Sequence, residues 1–145
     1  MQRYFSIVLI LILFFSCNKI ENHKSLNQED ITFIKSLKLL EGDETIYKFY
    51  SENTNETAGN FFTNRRVATY WIDKRNAERN ETNSAFFNEI IKIDAVYKAG
   101  PTYCPYAVIT RKDGSNFKVY VDGNKKEIKL FFKDLIFEWK KKRTK

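Results

Sequence analysis

The chain has 145 residues, of which 43% are hydrophobic and 16% aromatic, with only 5 glycines and 2 prolines. This composition is typical of a packed domain and excludes a disordered or low-complexity chain. Lysine and arginine outnumber the acids by 25 to 18, and the 2 cysteines and 1 histidine are too few for the usual zinc clusters.

The first 16 residues have the layout of an export signal. An apolar run from Phe5 to Phe15 contains one polar residue, Ser6, and follows Arg3 at a weakly basic start. A helix of about 11 residues rises only about 16 Å, whereas a membrane span needs roughly 20 apolar residues. The run therefore predicts a signal peptide over residues 1–16 rather than a permanent span.

The end of this run resembles the lipobox of bacterial lipoproteins. Cys17 directly follows the small residue Ser16, and the chain turns polar at once in residues 18–22. Similarity to that family implies a diacylglyceryl group on the Cys17 thiol, cleavage just before Cys17, and an acyl group such as palmitate on the new terminal amine. Plain secretion and an uncleaved N-terminal anchor are the alternatives.

With Cys17 lipidated, the mature chain has a single thiol, Cys104, so the sequence predicts no intramolecular disulfide. Its neighbours Tyr103, Pro105 and Tyr106 suit a thiol that is buried as a small apolar group. A catalytic cysteine is the alternative, but it needs a base, and the only histidine, His23, lies in a polar segment. The sequence therefore predicts no catalytic residue, no metal site and no cofactor.

Residues 17–27 are polar and predict a tether between the membrane and a folded domain. Asn27 offers an N-cap, and Ile31, Ile34 and Leu37 recur at helical spacing, so we predict a short amphipathic helix over residues 28–40. Packing of this helix on the domain is favoured over a position on the membrane surface.

Apolar residues alternate with a period of two in several later segments, which predicts β-strands. A strand is predicted in each of residues 45–50, 60–63, 67–72, 91–97, 106–111 and 116–122. Asp113-Gly114 between the last two is a strong hairpin signal. The longest polar interval, residues 73–84, is predicted to be a loop.

The pattern becomes helical again after residues 122–124, where Asn124 or Asp122 can cap a helix. An apolar stripe predicts an amphipathic helix to about Lys141 that covers the core of the sheet; its members are Ile128, Phe131, Phe132, Leu135 and Trp139. The basic cluster in residues 140–145 suits the C-terminus of a helix and favours solubility. Binding of anionic headgroups is the alternative, and the export signal argues against a nucleic acid partner.

The order of these elements is similar to that of bacterial pleckstrin-homology-like domains. The amino-acid sequences of three segments are also similar to those of that family. These segments are residues 39–47, 60–67 and 87–93. The resemblance implies a mainly β fold with α-helices, in which an antiparallel barrel or sandwich of six to seven strands is capped by a long C-terminal helix and preceded by a short one. It places a single domain over residues 28–145.

The resemblance carries over no ligand site. Phosphoinositide-binding members of the wider superfold place basic residues between their first two strands, where residues 51–59 contain no cation. Arg65 and Arg66 belong to the second similar segment, and we predict that one of them pairs with an acid and fixes the turn.

The combined expectation is a lipid-anchored, exported and non-catalytic binding or scaffold protein of the bacterial envelope. It would contact the membrane through lipidated Cys17 and present a groove or a sheet edge to a protein partner, with residues 73–84 as a candidate surface. An immunity-like lipoprotein that masks a toxin or hydrolase is one alternative. A small-molecule or lipid carrier is another, but it needs a cavity that the many aromatic side chains are expected to fill.

Overall fold

The computed structural model of the protein describes residues 20–143. The strands in this range are β1 (Ile20–Glu21), β2 (Ile46–Tyr50), β3 (Ala58–Thr63), β4 (Arg66–Trp71), β5 (Glu81–Phe86), β6 (Ile90–Val96), β7 (Tyr106–Arg111) and β8 (Asn116–Tyr120). The helices are α1 (Gln28–Ser36) and α2 (Lys125–Arg143), and short 3-10 helices span Ala77–Arg79 and Phe87–Glu89. Neither α1 nor α2 is long and apolar enough to cross a bilayer.

The strands form two antiparallel sheets. The first has the order β1-β2-β3-β4-β5 and the second the order β6-β7-β8. Two antiparallel sheets and a long C-terminal helix confirm the predicted mixture of β-strands and α-helix, but residues 20–143 form eight strands and not the six to seven predicted. Of the two predicted arrangements, the barrel is wrong, because the strand pairing among residues 20–143 does not join the two sheets into a closed ring.

Strand β5 corrects the prediction that residues 73–84 are a loop throughout. It pairs with β4 along its whole length, from Trp71 opposite Glu81 to Arg66 opposite Phe86. β5 lies at the edge of the sheet, and Ala85 is its only fully buried residue. A strand exposed in this way carries polar side chains, and its sequence therefore looks like that of a loop.

Part of the predicted tether is bound to the first sheet. Ile20 and Glu21 in β1 pair with Tyr50 and Phe49 at the outer edge of β2. Beyond them, the backbone N–H of His23 donates to the carbonyl oxygen of Ile46 at 3.0 Å. The chain is therefore attached to the domain from Ile20 onward.

Helix α1 packs on the domain, as its apolar spacing indicated. The Oδ1 atom of Asn27 accepts from the backbone N–H of Asp30 at 2.8 Å and caps the helix. Ile34 is fully buried. The helix ends at Ser36, four residues before the predicted end, and Lys38 takes a φ of +60°, which no α-helix continues.

Two apolar clusters cover opposite faces of the first sheet. Phe61 and Ala68 belong to the cluster under α1, while Phe62 and Val67 belong to the cluster under α2. Because successive side chains of a strand point to opposite faces, this alternation buries β3 and β4 on both sides. The predicted stripe of α2 lies in the second cluster, so its role as the cover of a sheet core is confirmed.

A capping box fixes the start of α2. The Oδ1 atom of Asn124 accepts from the backbone N–H of Glu127 at 3.0 Å, and Glu127 Oε2 accepts from the N–H of Asn124 at 3.0 Å. Near the other end, the Nε1 atom of Trp139 donates to the carbonyl oxygen of Ile90 at 3.1 Å. This bond ties α2 to the first strand of the second sheet.

Candidate functional site

Arg66 is a structural residue, as predicted for one arginine of the pair. Its Nε and Nη2 atoms donate to the two carboxylate oxygens of Glu44 at 2.9 and 2.8 Å, and both side chains are buried. Glu41 lies 3.2 Å away, and the ring of Phe86 stacks 4.3 Å from the guanidinium carbon. The ion pair joins the β3–β4 turn to the segment before β2.

The predicted lipid attachment residue, Cys17, lies outside the described residues, so its acylation stays a prediction. Cys104 is half-buried and lies near Tyr50. Burial, together with the nearby charges of Cys104, Asp122 and Glu52, raises the pKa of Tyr50 to about 12. Cys104 is therefore close to the point where the chain enters β1, since Ile20 pairs with Tyr50.

The structure does not bring Cys104 and His23 together. The Nδ1 atom of His23 accepts a hydrogen bond from the backbone N–H of Ile46 at 3.2 Å. Ile46 and Tyr50 are the two ends of β2, and four residue steps along a strand span about 13 Å. The imidazole is held at the far end of β2 from the thiol and cannot serve as its base.

A groove of about 550 Å³ runs between β2 and α2, and we call it the α2–β2 groove. Its aromatic residues are Tyr47, Phe62 and Phe137, and its ionisable residues are His23, Lys24, Lys48, Asp134 and Glu138. The β2 strand supplies one wall, and Asp134, Phe137 and Glu138 of α2 supply the other. Residues 22–24 also line the groove. The groove therefore combines apolar surface with charges of both signs.

Lys48 and Asp134 in the groove form an ion pair, whereas one carboxylate oxygen of Glu138 has no hydrogen-bond partner among the described residues. Lys48 Nζ lies 3.1 Å from Asp134 Oδ2, so these two side chains neutralise each other across the groove. The Glu138 side chain is only 12% exposed, and its Oε1 atom lies 4.0 Å from Lys141 Nζ. Its Oε2 atom is buried and has no hydrogen-bond partner among the described residues.

An unpartnered carboxylate oxygen is costly when it is shielded from water. Leaving a buried acceptor unsatisfied costs roughly 1–3 kcal/mol, and more when the group is charged. A donor from a bound molecule would recover that free energy. A rotation of the Glu138 side chain that turned Oε2 toward the groove would let this oxygen accept from an N–H group of a ligand.

Exposed aromatic side chains line the rim of the groove. Phe137 is 62% exposed and Tyr47 is 39% exposed, and the Tyr47 ring packs edge-on against Phe62 with centroids 6.2 Å apart. Aromatic rings of this kind supply large contact areas at binding surfaces. The groove thus presents apolar contacts around a charged interior.

Sequence reasoning missed this groove. Its walls come from β2 and α2, which lie far apart in the chain. The period of two in β2 and the helical period in α2 do not show which face of one element lies beside the other. One signal was present: Phe137 is a large aromatic residue outside the apolar stripe of α2. A single exposed aromatic residue is common on protein surfaces, so this signal does not identify a groove by itself.

The surface chosen from the sequence, around residues 73–84, contains a second cleft. It has a volume of about 370 Å³ and lies between the edge strands β5 and β8. Glu81, Asn83 and Lys118 are among its lining residues. Arg111 donates to the carbonyl oxygen of Ser84 at 3.2 to 3.3 Å and so occupies part of the β5 edge.

Within residues 20–143, no three histidine, cysteine or acidic side chains come together in a way that could hold a metal ion. Comparisons with protein-family models, with curated proteins and with solved structures found no match. The sequence around Cys17 and the geometry of the α2–β2 groove therefore carry the functional proposal.

Proposed function

We propose that this protein is a lipid-anchored, exported and non-catalytic binding or scaffold protein of the bacterial envelope. Acylation of Cys17 would hold it at the membrane, and the α2–β2 groove would bind a protein partner there. We also propose that its two sheets and α2 are a pleckstrin-homology-like domain, which the element order and the long C-terminal helix support.

The unpartnered Glu138 Oε2 atom is the observation that carries the binding proposal. A peptide segment laid between β2 and α2 would cover the Tyr47 ring and bring a lysine, an arginine or a backbone N–H to the Glu138 carboxylate. A charge-assisted hydrogen bond is stronger than a neutral one. Anchoring on the membrane would raise the local concentration of the domain near a partner in the same envelope.

Replacing Cys17 with serine should abolish acylation of the protein. The hydroxyl of serine is not the thiol that lipobox-containing proteins use, so neither the diacylglyceryl group nor the amine-linked acyl chain should be added. Labelled palmitate and the intact mass of the protein measure this directly. Cys104→Ser is the matched control and should keep its label. Label on the Cys17→Ser variant equal to that of the control would contradict the lipoprotein assignment.

A photo-crosslinking amino acid at Tyr47 should form an adduct with a specific envelope protein. Trp71, which is 42% exposed against 39% for Tyr47, provides a control position outside the groove and should give no such adduct.

Glu138→Gln keeps the shape of the side chain but removes its charge. It should weaken binding of the captured partner about 10- to 100-fold, the worth of a hydrogen bond to a charged group.

Equal adducts from the two positions, or unchanged affinity of the Glu138→Gln variant, would remove the groove as the binding site. Glu78→Gln, on the short helix before β5, is the matched control for the loss of one acidic charge. The identity of the partner separates two functions: a toxin or a hydrolase in the adduct would favour the immunity-like alternative.

A further inference from the structure

The outer face of α2 is dominated by cations and apolar side chains, and its most exposed acid, Asp134, is paired with Lys48. Nine residues of this helix are exposed, and seven of them are lysine or arginine. The three acids of α2 are only partly exposed and are directed elsewhere: Glu127 caps the helix, Asp134 pairs with Lys48, and Glu138 lines the groove. The exposed face therefore carries a net positive charge along the helix.

The helix dipole does not explain this distribution. Cations at the C-terminal end, such as Lys140 and Lys141, are favoured by the partial negative charge there. Lys125, Lys126 and Lys129 lie in the first turns, where the dipole is positive and opposes a cation. The dipole therefore does not account for the cations at this end of the face, and they remain available to an anionic surface.

Two large apolar residues lie within the basic face. Leu130 is 38% exposed and Phe137 is 62% exposed. They are seven residues apart, so they point the same way and are separated by about 10 Å along the helix axis. Lys126, Lys133 and Lys141 flank them at spacings of three or four residues. A basic helix with exposed apolar side chains is typical of a surface that lies on lipid headgroups.

The start of β1 lies near α2, so a lipid on Cys17 would hold the domain with this helix close to a membrane. Ile20 pairs with Tyr50 and packs against the same apolar cluster that Phe131 and Phe132 of α2 close. Only three residue steps separate Ile20 from Cys17, a reach of about 10 Å at most. If Cys17 carries lipid, as proposed above, the bilayer surface lies within that distance of the start of β1.

We infer that the outer face of α2 docks on an anionic lipid bilayer, with Leu130 and Phe137 at headgroup depth and the lysines beside lipid phosphates. The inference rests on the proposed acylation of Cys17. Docking fixes one orientation of the domain on the membrane, whereas a lipid anchor alone leaves the domain free to tumble. The long methylene stems of lysine allow the ammonium groups to reach phosphates while Leu130 enters the interface.

An environment-sensitive fluorophore on α2 tests this orientation. The full-length acylated protein, with Leu130→Cys and Cys104→Ala, is labelled with a nitrobenzoxadiazole dye and inserted into vesicles. Emission should shift to shorter wavelength in vesicles of phosphatidylcholine with 30% phosphatidylglycerol, relative to vesicles of phosphatidylcholine alone. The same dye at Lys112→Cys, in the turn between β7 and β8, should show no difference between the two lipids.

Charge variants decide whether the lysines of α2 cause the shift. Lys126→Gln, Lys129→Gln and Lys133→Gln together should lower the ratio of docked to undocked domain roughly 100-fold or more, since each cation contributes to binding at an anionic surface. The control removes the same charge elsewhere, with Lys74→Gln, Lys92→Gln and Lys118→Gln. It should retain the shift.

The outcomes separate this inference from the proposed function. A protein whose mass shows no acyl group contradicts the proposed function and with it the docking. An acylated protein whose emission is the same in both lipids contradicts the docking alone. Equal effects of the two charge variants would also overturn the inference, because net charge rather than the face of α2 would then be responsible.

Discussion

Replacing Arg66 with methionine should lower the free energy of unfolding by about 3–5 kcal/mol. The guanidinium is bound by both carboxylate oxygens of Glu44, whose side chain has no exposed surface. The methionine side chain is similar in length to that of arginine, so little packing is lost. The main effect is that the buried carboxylate of Glu44 loses its positively charged partner. Urea unfolding followed by circular dichroism measures the change.

The neighbouring arginine is the control for this substitution. Arg65 is exposed, and Arg65→Met should change stability by about 0.5 kcal/mol or less. Adding Glu44→Gln to Arg66→Met should recover part of the loss, because the glutamine is uncharged and is less costly to bury. Similar costs for Arg65→Met and Arg66→Met would contradict the structural role of the ion pair.

Replacing Gly59 with alanine should destabilise the domain by about 1–3 kcal/mol, or more if the strands cannot separate. Gly59 lies opposite Tyr70 in the β3–β4 pair, and a methyl group there would come within 2.3 to 2.7 Å of three atoms of the Tyr70 side chain. Tyr70 cannot easily move, because it is buried and its hydroxyl donates to the carbonyl oxygen of Asn55.

A double-mutant cycle isolates the clash between these two residues. Tyr70→Ala removes the ring, so adding Gly59→Ala to that variant should cost much less than adding it to the natural chain. The difference should be about 1–3 kcal/mol, within the range found for residues in contact. Additive costs would show that strand propensity, and not the Tyr70 ring, determines the need for glycine.

The elements with strong periodicity were predictable from the sequence. The stripe of α2 repeats over five buried residues, and Asn124, one of the two caps that the sequence offered, caps the observed helix. The strand at residues 106–111 was predicted with its observed bounds. In both cases the alternation between apolar and polar positions reflects burial on one face.

Other elements form only through contacts with distant segments of the same chain, which local sequence patterns do not reveal. Ile20 and Glu21 are too few to show any period, and they become a strand only because the edge of β2 is available. Strand β5 is polar because it lies at an edge, and the α2–β2 groove exists only when distant segments meet. Local pattern therefore predicted the buried elements, while tertiary contacts determined the edges and the site.

The two edges of the five-stranded sheet are protected from aggregation by different means. An uncovered edge strand is a template for pairing with a second chain. The edge at β5 carries the exposed residues Glu81 and Thr82, whereas β2 presents the fully buried Phe49 and would be a hazardous edge by itself. Strand β1 covers it with residues from the N-terminal segment. Strand β1 and His23 occupy backbone groups at the two ends of β2, so the N-terminal segment also limits the pairing of this edge with a second chain.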